Sequence, residues 1–153
     1  MNQASIDVSG IEIPPWLNSA NSFILKVLDI LERDNWDLSV VFCNNEFIRR
    51  LNAGYRGKDE ATDVLSFPLG TVLEKKDGIE SRYLPGDIVI SLETLRENVE
   101  YFQVPEDEEL RRLLIHGILH LDGMDHTTND EKEPMLQLQE RLLDCLAGER
   151  ILP

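Results

Sequence analysis

The sequence predicts an α+β domain in which a small, roughly four-stranded mixed sheet is packed by helices, one of them central and apolar. Three observations carry this. Every strand pattern ends by Ser91, and they are rich in β-branched and aromatic residues. Helical periodicity intervenes early and then takes over after Ser91. Leu110 to Leu121 is apolar on most sides, as a buried central helix must be. With 153 residues and no visible repeat or linker, residues 1–153 are expected to form a single domain.

Ala4–Val8 alternates as a short strand, and Pro14-Pro15 stops it and can open a helix. Between Trp16 and Leu31 the residues Ala20, Phe23, Ile24, Val27 and Leu28 recur at helical spacing, with Trp16 and Phe23 read as core. Trp36–Cys43 reads as a second strand. Asn44 or Asn45 can cap the next helix, which carries Phe47, Ile48 and Leu51 and gives out near Gly54 or Gly57. Asp63–Pro68 and Gly86–Ser91 are read as paired strands joined by a polar loop with an Asp77-Gly78 turn. Leu92–Phe102 is a helix, Pro105–Glu109 an acidic first turn for the next, and Thr128-Asn-Asp-Glu131 a capping box opening a last helix that ends at Gly148.

A formal charge of −14 counts against a broad electrostatic grip on RNA, DNA or anionic membranes. Screening over about 8–10 Å still permits a local basic cleft. No run is long enough to span a bilayer, and the N-terminus lacks the basic and apolar regions of a secretory signal, so a cytoplasmic protein is expected. Two cysteines, Cys43 and Cys145, suggest reduced thiols rather than a disulfide framework.

All three histidines fall in His116-Gly-Ile-Leu-His120-Leu-Asp-Gly-Met-Asp-His126. His116 and His120 are four apart and share a helical face, a natural pair of metal ligands. Gly123 can end the helix in a left-handed turn and swing His126 back towards them. Three imidazoles on one divalent ion leave an open position, which suits catalysis better than structure. The offsets match the metzincin protease motif H-E-x-x-H-x-x-G-x-x-H, but Gly117 stands where the general-base glutamate would be. A peptidase is therefore a poor reading.

The other unusual stretch is Tyr55-Arg-Gly-Lys-Asp-Glu-Ala-Thr-Asp-Val-Leu-Ser-Phe-Pro68, read as a polar loop with Arg56 and Lys58 before a strand. An arginine there can clamp a phosphate with two parallel hydrogen bonds. The bland alternative is a solvated turn with Asp63 bonding backbone.

These blocks, with Gly86-Asp-Ile-Val-Ile-Ser91 between them, resemble the YbeY family of bacterial single-strand-specific endoribonucleases and ribosomal RNA maturation factors. The resemblance runs in order over roughly the whole chain, although Met124 replaces a frequent aromatic and residues 127–153 match loosely. It implies a zinc-type site on His116, His120 and His126 and an essential arginine at Arg56. It also implies single-stranded ribosomal RNA as substrate and a role in small-subunit RNA 3′-end maturation and ribosome quality control, and a ribosomal protein or small-subunit contact is the partner expected to offset the −14 charge. DNA and membrane are not expected partners. Asp125 is a candidate support for a histidine N–H or merely a turn residue, and Glu109, on the same face of its helix as His116, is a candidate base. Two rivals stay open: an assembly factor whose metal only stabilises the fold, and a metal hydrolase of another substrate.

Overall fold

The computed structural model describes residues 1–74, 78 and 80–153. In chain order they form β1 (Gln3–Ser9), α1 (Leu17–Ile30), β2 (Asp37–Cys43), α2 (Asn45–Arg56), β3 (Val64–Leu73), β4 (Arg82–Ser91), α3 (Leu92–Phe102), α4 (Glu106–Leu121) and α5 (Pro134–Cys145). The sheet order is β1-β2-β4-β3. β1 and β4 run parallel to β2 on its two sides, and β3 returns antiparallel on β4 as the hairpin partner expected. The α+β class and the four-stranded mixed sheet are as the sequence implied.

Strand alternation divides the core. Leu38, Val40 and Phe42 of β2, with Ile88 and Ile90 of β4, face a large cluster that includes α1 residues Phe23, Ile24 and Val27 and α4 residues Leu114, Ile115 and Ile118. On the other sheet face Cys43, Leu65 and Val89 meet Ile48 of α2. Both β2 and β4 are therefore buried on two sides, which is why they read as continuous apolar runs. Phe23 is buried, and Trp16 packs edge-on against Phe42 with ring centroids 5.0 Å apart. Burial in an apolar setting pushes the Cys43 thiol up to about 12, so this cysteine is an inert core residue.

Three elements depart from expectation. β3 and β4 extend past Pro68 and before Gly86, through an irregularity between Pro68 and Thr71. Residues 69–73 are exposed, so the extension has no apolar alternation to betray it. The Asp77-Gly78 turn lies in part outside the described residues. The capping box at Thr128 does not open the last helix: α5 begins at Pro134, with Glu133 as its N-cap. A proline lacks the N–H a helix interior needs but suits the first turn, so Pro134 sets the boundary. The Thr128 hydroxyl instead accepts from the Asp130 N–H and donates to the Glu133 carboxylate, folding 127–133 into a loop.

Candidate metal centre

α4 carries His116 and His120 on one face because four residues advance a helix by slightly more than a turn. Beyond Asp122 the chain reverses at Gly123, whose φ of 95° suits glycine. The Gly123 N–H donates to the His120 carbonyl and the Met124 N–H to that of Leu119. This reversal sets the His126 ring 5.2 Å from that of His116 and 5.4 Å from that of His120, centroid to centroid. One donor nitrogen from each histidine lies within 4.8 Å of the other two.

The hydrogen bonds assign the tautomers. His120 Nδ1 meets the Met124 carbonyl at 3.1 Å and His126 Nδ1 the Thr128 carbonyl at 2.8 Å. A carbonyl only accepts, so both Nδ1 atoms carry the proton. His116 Nδ1 donates to Gln139 Oε1 at 2.6 Å, because the Gln139 amide nitrogen is already engaged with Glu140. All three Nε2 atoms are therefore unprotonated, and those of His116 and His120 stand 3.1 Å apart. Two lone pairs that close repel unless a cation lies between them. A tetrahedral zinc ion with nitrogen ligands at about 2.0–2.1 Å would separate them by roughly 3.3 Å. The donor set fits a divalent ion.

Burial lowers the pKa of His116 below its ordinary 6.5, and the charges of His120 and His126 add to this against the Gln139 hydrogen bond. Burial also lowers His120, helped by His126 and Arg56 and opposed by the Met124 carbonyl. Below 6.5 the unfolded chain takes up protons that these folded imidazoles refuse. The metal-free protein should hold this part of its stability above about pH 6.5 and lose it progressively as pH falls below that value. Urea midpoints of the metal-free protein across that range check the sign; a midpoint that rose on acidification would contradict it.

The structure places each anticipated residue. Arg56 is not in a loop: it is the last residue of α2, which Gly57 closes, and only Lys58 lies in the segment beyond. The helical spacing of 45–56 continues through Gly54, which meets no neighbour and so does not break the helix. Arg56 is exposed, and neither it nor Lys58 makes an ion pair among the described residues. The Arg56 charge is near enough to His120 to help lower its pKa.

Asp125 Oδ1 accepts from the His126 N–H at 2.8 Å and lies 3.9 Å from His120 Nδ1, beyond hydrogen-bond distance. Glu109 is buried and held by Arg112 at 2.9 Å and Asn98 at 3.2 Å, so it is not a free base. Asp63 is held by the same Asn98 amide at 2.9 Å, and its charge reaches His116.

Gln139 was not anticipated. It sits four residues after buried Met135 and three before buried Leu142, a polar side chain at core spacing, and that is the signal that could have found it. Gln139→Leu keeps the volume but removes the acceptor on His116 Nδ1, which should weaken metal affinity about 10–100-fold. Competition with a chromophoric chelator measures this, and unchanged affinity would remove Gln139 from the site.

The Endoribonuclease YbeY family model matches residues 2–147. A Treponema pallidum protein named Endoribonuclease YbeY is 50% identical over 144 residues, covering 94% of this chain and 89% of its own. Relatives of the same name from Treponema denticola and Borrelia hermsii are 48% and 46% identical, covering 91% and 88% of this chain and the same shares of theirs. Among solved structures, the solution structure of TM1509 from Thermotoga maritima matches with a TM-score of 0.63 at 28% identity, over 95% of this chain and 91% of that one.

Proposed function

The chain belongs to the endoribonuclease YbeY family, and we propose from that premise that it hydrolyses phosphodiester bonds of single-stranded RNA at the three-histidine centre. The observation that carries the chemistry is the set of three Nε2 lone pairs turned to one point, with every Nδ1 proton held by Gln139, Met124 or Thr128. His116, His120 and His126 would hold the metal. Zinc suits three imidazoles with a remaining open position. When bound, it supplies Lewis acidity that polarises a phosphoryl oxygen and acidifies water.

The chain's own residues do the rest. Arg56 has no carboxylate to leave, so it can take two oxygens of the phosphate and offset the charge that grows on them. Its place at the end of a helix fixes it more firmly than a loop would. The buried Gln139 and the turn at Gly123 keep the imidazoles aimed and in one tautomer. Single strands are favoured because unstacked RNA can bend its backbone into a narrow cleft.

In this reading residues 1–153 act as one domain in the cytoplasm, without membrane or DNA. Among the described residues no helix is long and apolar enough to cross a membrane. The RNA is small-subunit ribosomal RNA near its 3′ end, and a ribosomal protein supplies the docking that a −14 chain cannot draw from bulk electrostatics.

Arg56→Ala should leave metal content and fold unchanged and lower RNA cleavage by about 10²–10³-fold. Initial rates on a defined single-stranded RNA, with a duplex of the same sequence beside it, test both statements. Wild-type rates in the variant would remove Arg56 from the mechanism. Zinc-loaded wild type that cut neither RNA would favour the assembly-factor rival.

A further inference from the structure

A groove of about 910 Å³ runs beside the histidines, between α4, α5, the 129–132 loop and the turn after α3. It joins the metal centre at two points. Gln139 lines it and also accepts from His116 Nδ1. Asn129 lines it and follows Thr128, whose carbonyl holds His126.

The lining has two kinds of surface. Phe102, 59% exposed, stands edge-on to Tyr101, 82% exposed, and with Val104 and Leu136 gives an apolar wall. Lys132 and Arg141 line it too, and neither makes an ion pair among the described residues. Most other cations here are paired with carboxylates, Arg112 with three. Lys132 and Arg141 thus belong, with Arg56, Lys58 and Arg150, to the described cations that make no ion pair, and of these five only Lys132 and Arg141 line the groove. The groove's formal charges cancel, Arg112, Lys132 and Arg141 against Glu109, Glu131 and Glu140, in a chain whose net charge is −14.

We propose that this groove is a nucleotide subsite for the RNA strand on one side of the cleaved bond. An unpaired base lies against Phe102 and Leu136, and Lys132 and Arg141 take the flanking phosphates. Aromatic faces combined with a local cationic track are how proteins hold single strands without reading sequence. A base stacked on Phe102 cannot at once be paired, so the subsite adds a reason for single-strand preference. The inference rests on the ribonuclease reading, which supplies the strand that crosses the centre.

The test uses the full chain with zinc. Wild type, Phe102→Ala and the double variant Lys132→Glu with Arg141→Glu are compared on one fluorescent single-stranded RNA and on versions trimmed from each end. The double variant should raise KM on the full-length RNA at least about tenfold with kcat and zinc content unchanged. Trimming the strand from one end, and only that end, should erase the difference from wild type. Equal KM in all three proteins would overturn the subsite, and so would a penalty that survives trimming from both ends. Fluorescence anisotropy of the same RNA separates the two readings. If zinc-loaded wild type binds but does not cut, and the groove variants lose binding, the subsite stands while the nuclease reading falls. Wild-type RNA affinity in the groove variants would overturn the subsite and leave a peptide segment of a protein partner as the occupant.

Discussion

His120→Ala is expected to remove bound metal and, with it, RNA cleavage. Two imidazoles remain on the centre, one on α4 and one on a turn, and zinc sites of this type use three protein ligands. His120 is the informative position to change. It is half-buried on the helix and its Nδ1 is tied only to the Met124 carbonyl, whereas loss of His116 would also strand the buried Gln139. Alanine favours helix, and the change relieves the close approach of two lone pairs at 3.1 Å. The metal-free variant should therefore be no less stable than metal-free wild type. In zinc the two should part. Wild type gains stability as the ion binds only the folded state, about 4 kcal/mol at a thousandfold excess over its dissociation constant, and the variant gains little. Metal analysis and thermal unfolding with and without zinc read both effects. Full stoichiometric metal in the variant would dispose of the ligand assignment, and equal cleavage by both preparations would expose a contaminating nuclease.

The centre was legible because its signals are local. Residues four apart on a helix and a glycine three beyond determine where His116, His120 and His126 can go, and nothing distant has to be known. The strands were legible for a related reason, since β2 and β4 are buried on two faces and must be apolar throughout. What escaped was set by contacts between elements. Gln139 meets His116 only after α5 folds back along α4, over a sequence separation of 23. The Asn98 amide that binds both Asp63 and Glu109 joins α3, α4 and the segment leading into β3, and each residue alone reads as an ordinary surface polar group. Arg56 was read as a loop residue although α2 runs to it and closes at Gly57, one of the two stops expected, because Gly54, the other, lies in open space where it costs only propensity. The opening of α5 was misplaced because Thr128 and Glu131 fit a capping box, while Pro134 three residues later decides the boundary.

Gly117→Glu is expected to cost the protein most of its stability, and it will not create a peptidase. In sequence this position reads as a missing general base. In the fold it is where α4 touches the sheet. A β-carbon on Gly117 would come within 2.8 Å of Ile88 Cγ2, 2.9 Å of Cδ1 and 3.0 Å of Cγ1. Ile88 is wholly buried on β4, hydrogen-bonded between β2 and β3, and its β-branched side chain has little freedom to withdraw. Overpacking of this kind costs about 1–3 kcal/mol, and an unpaired carboxylate in an apolar contact adds several more. Together they reach the whole stability of a marginal domain, about 5–15 kcal/mol. The glutamate's β-carbon would also face Ile88 on the sheet. Gly117→Ala separates packing from charge. It gains about 1 kcal/mol of helix propensity and loses to the same contact, so its net effect should be far smaller. Combining Gly117→Ala with Ile88→Ala should make the two less destabilising together than their separate costs would add to, because one makes room for the other. Urea unfolding of the four proteins measures this. A Gly117→Glu protein as stable as wild type, or strict additivity in the pair, would show that α4 does not rest on Ile88 through this glycine.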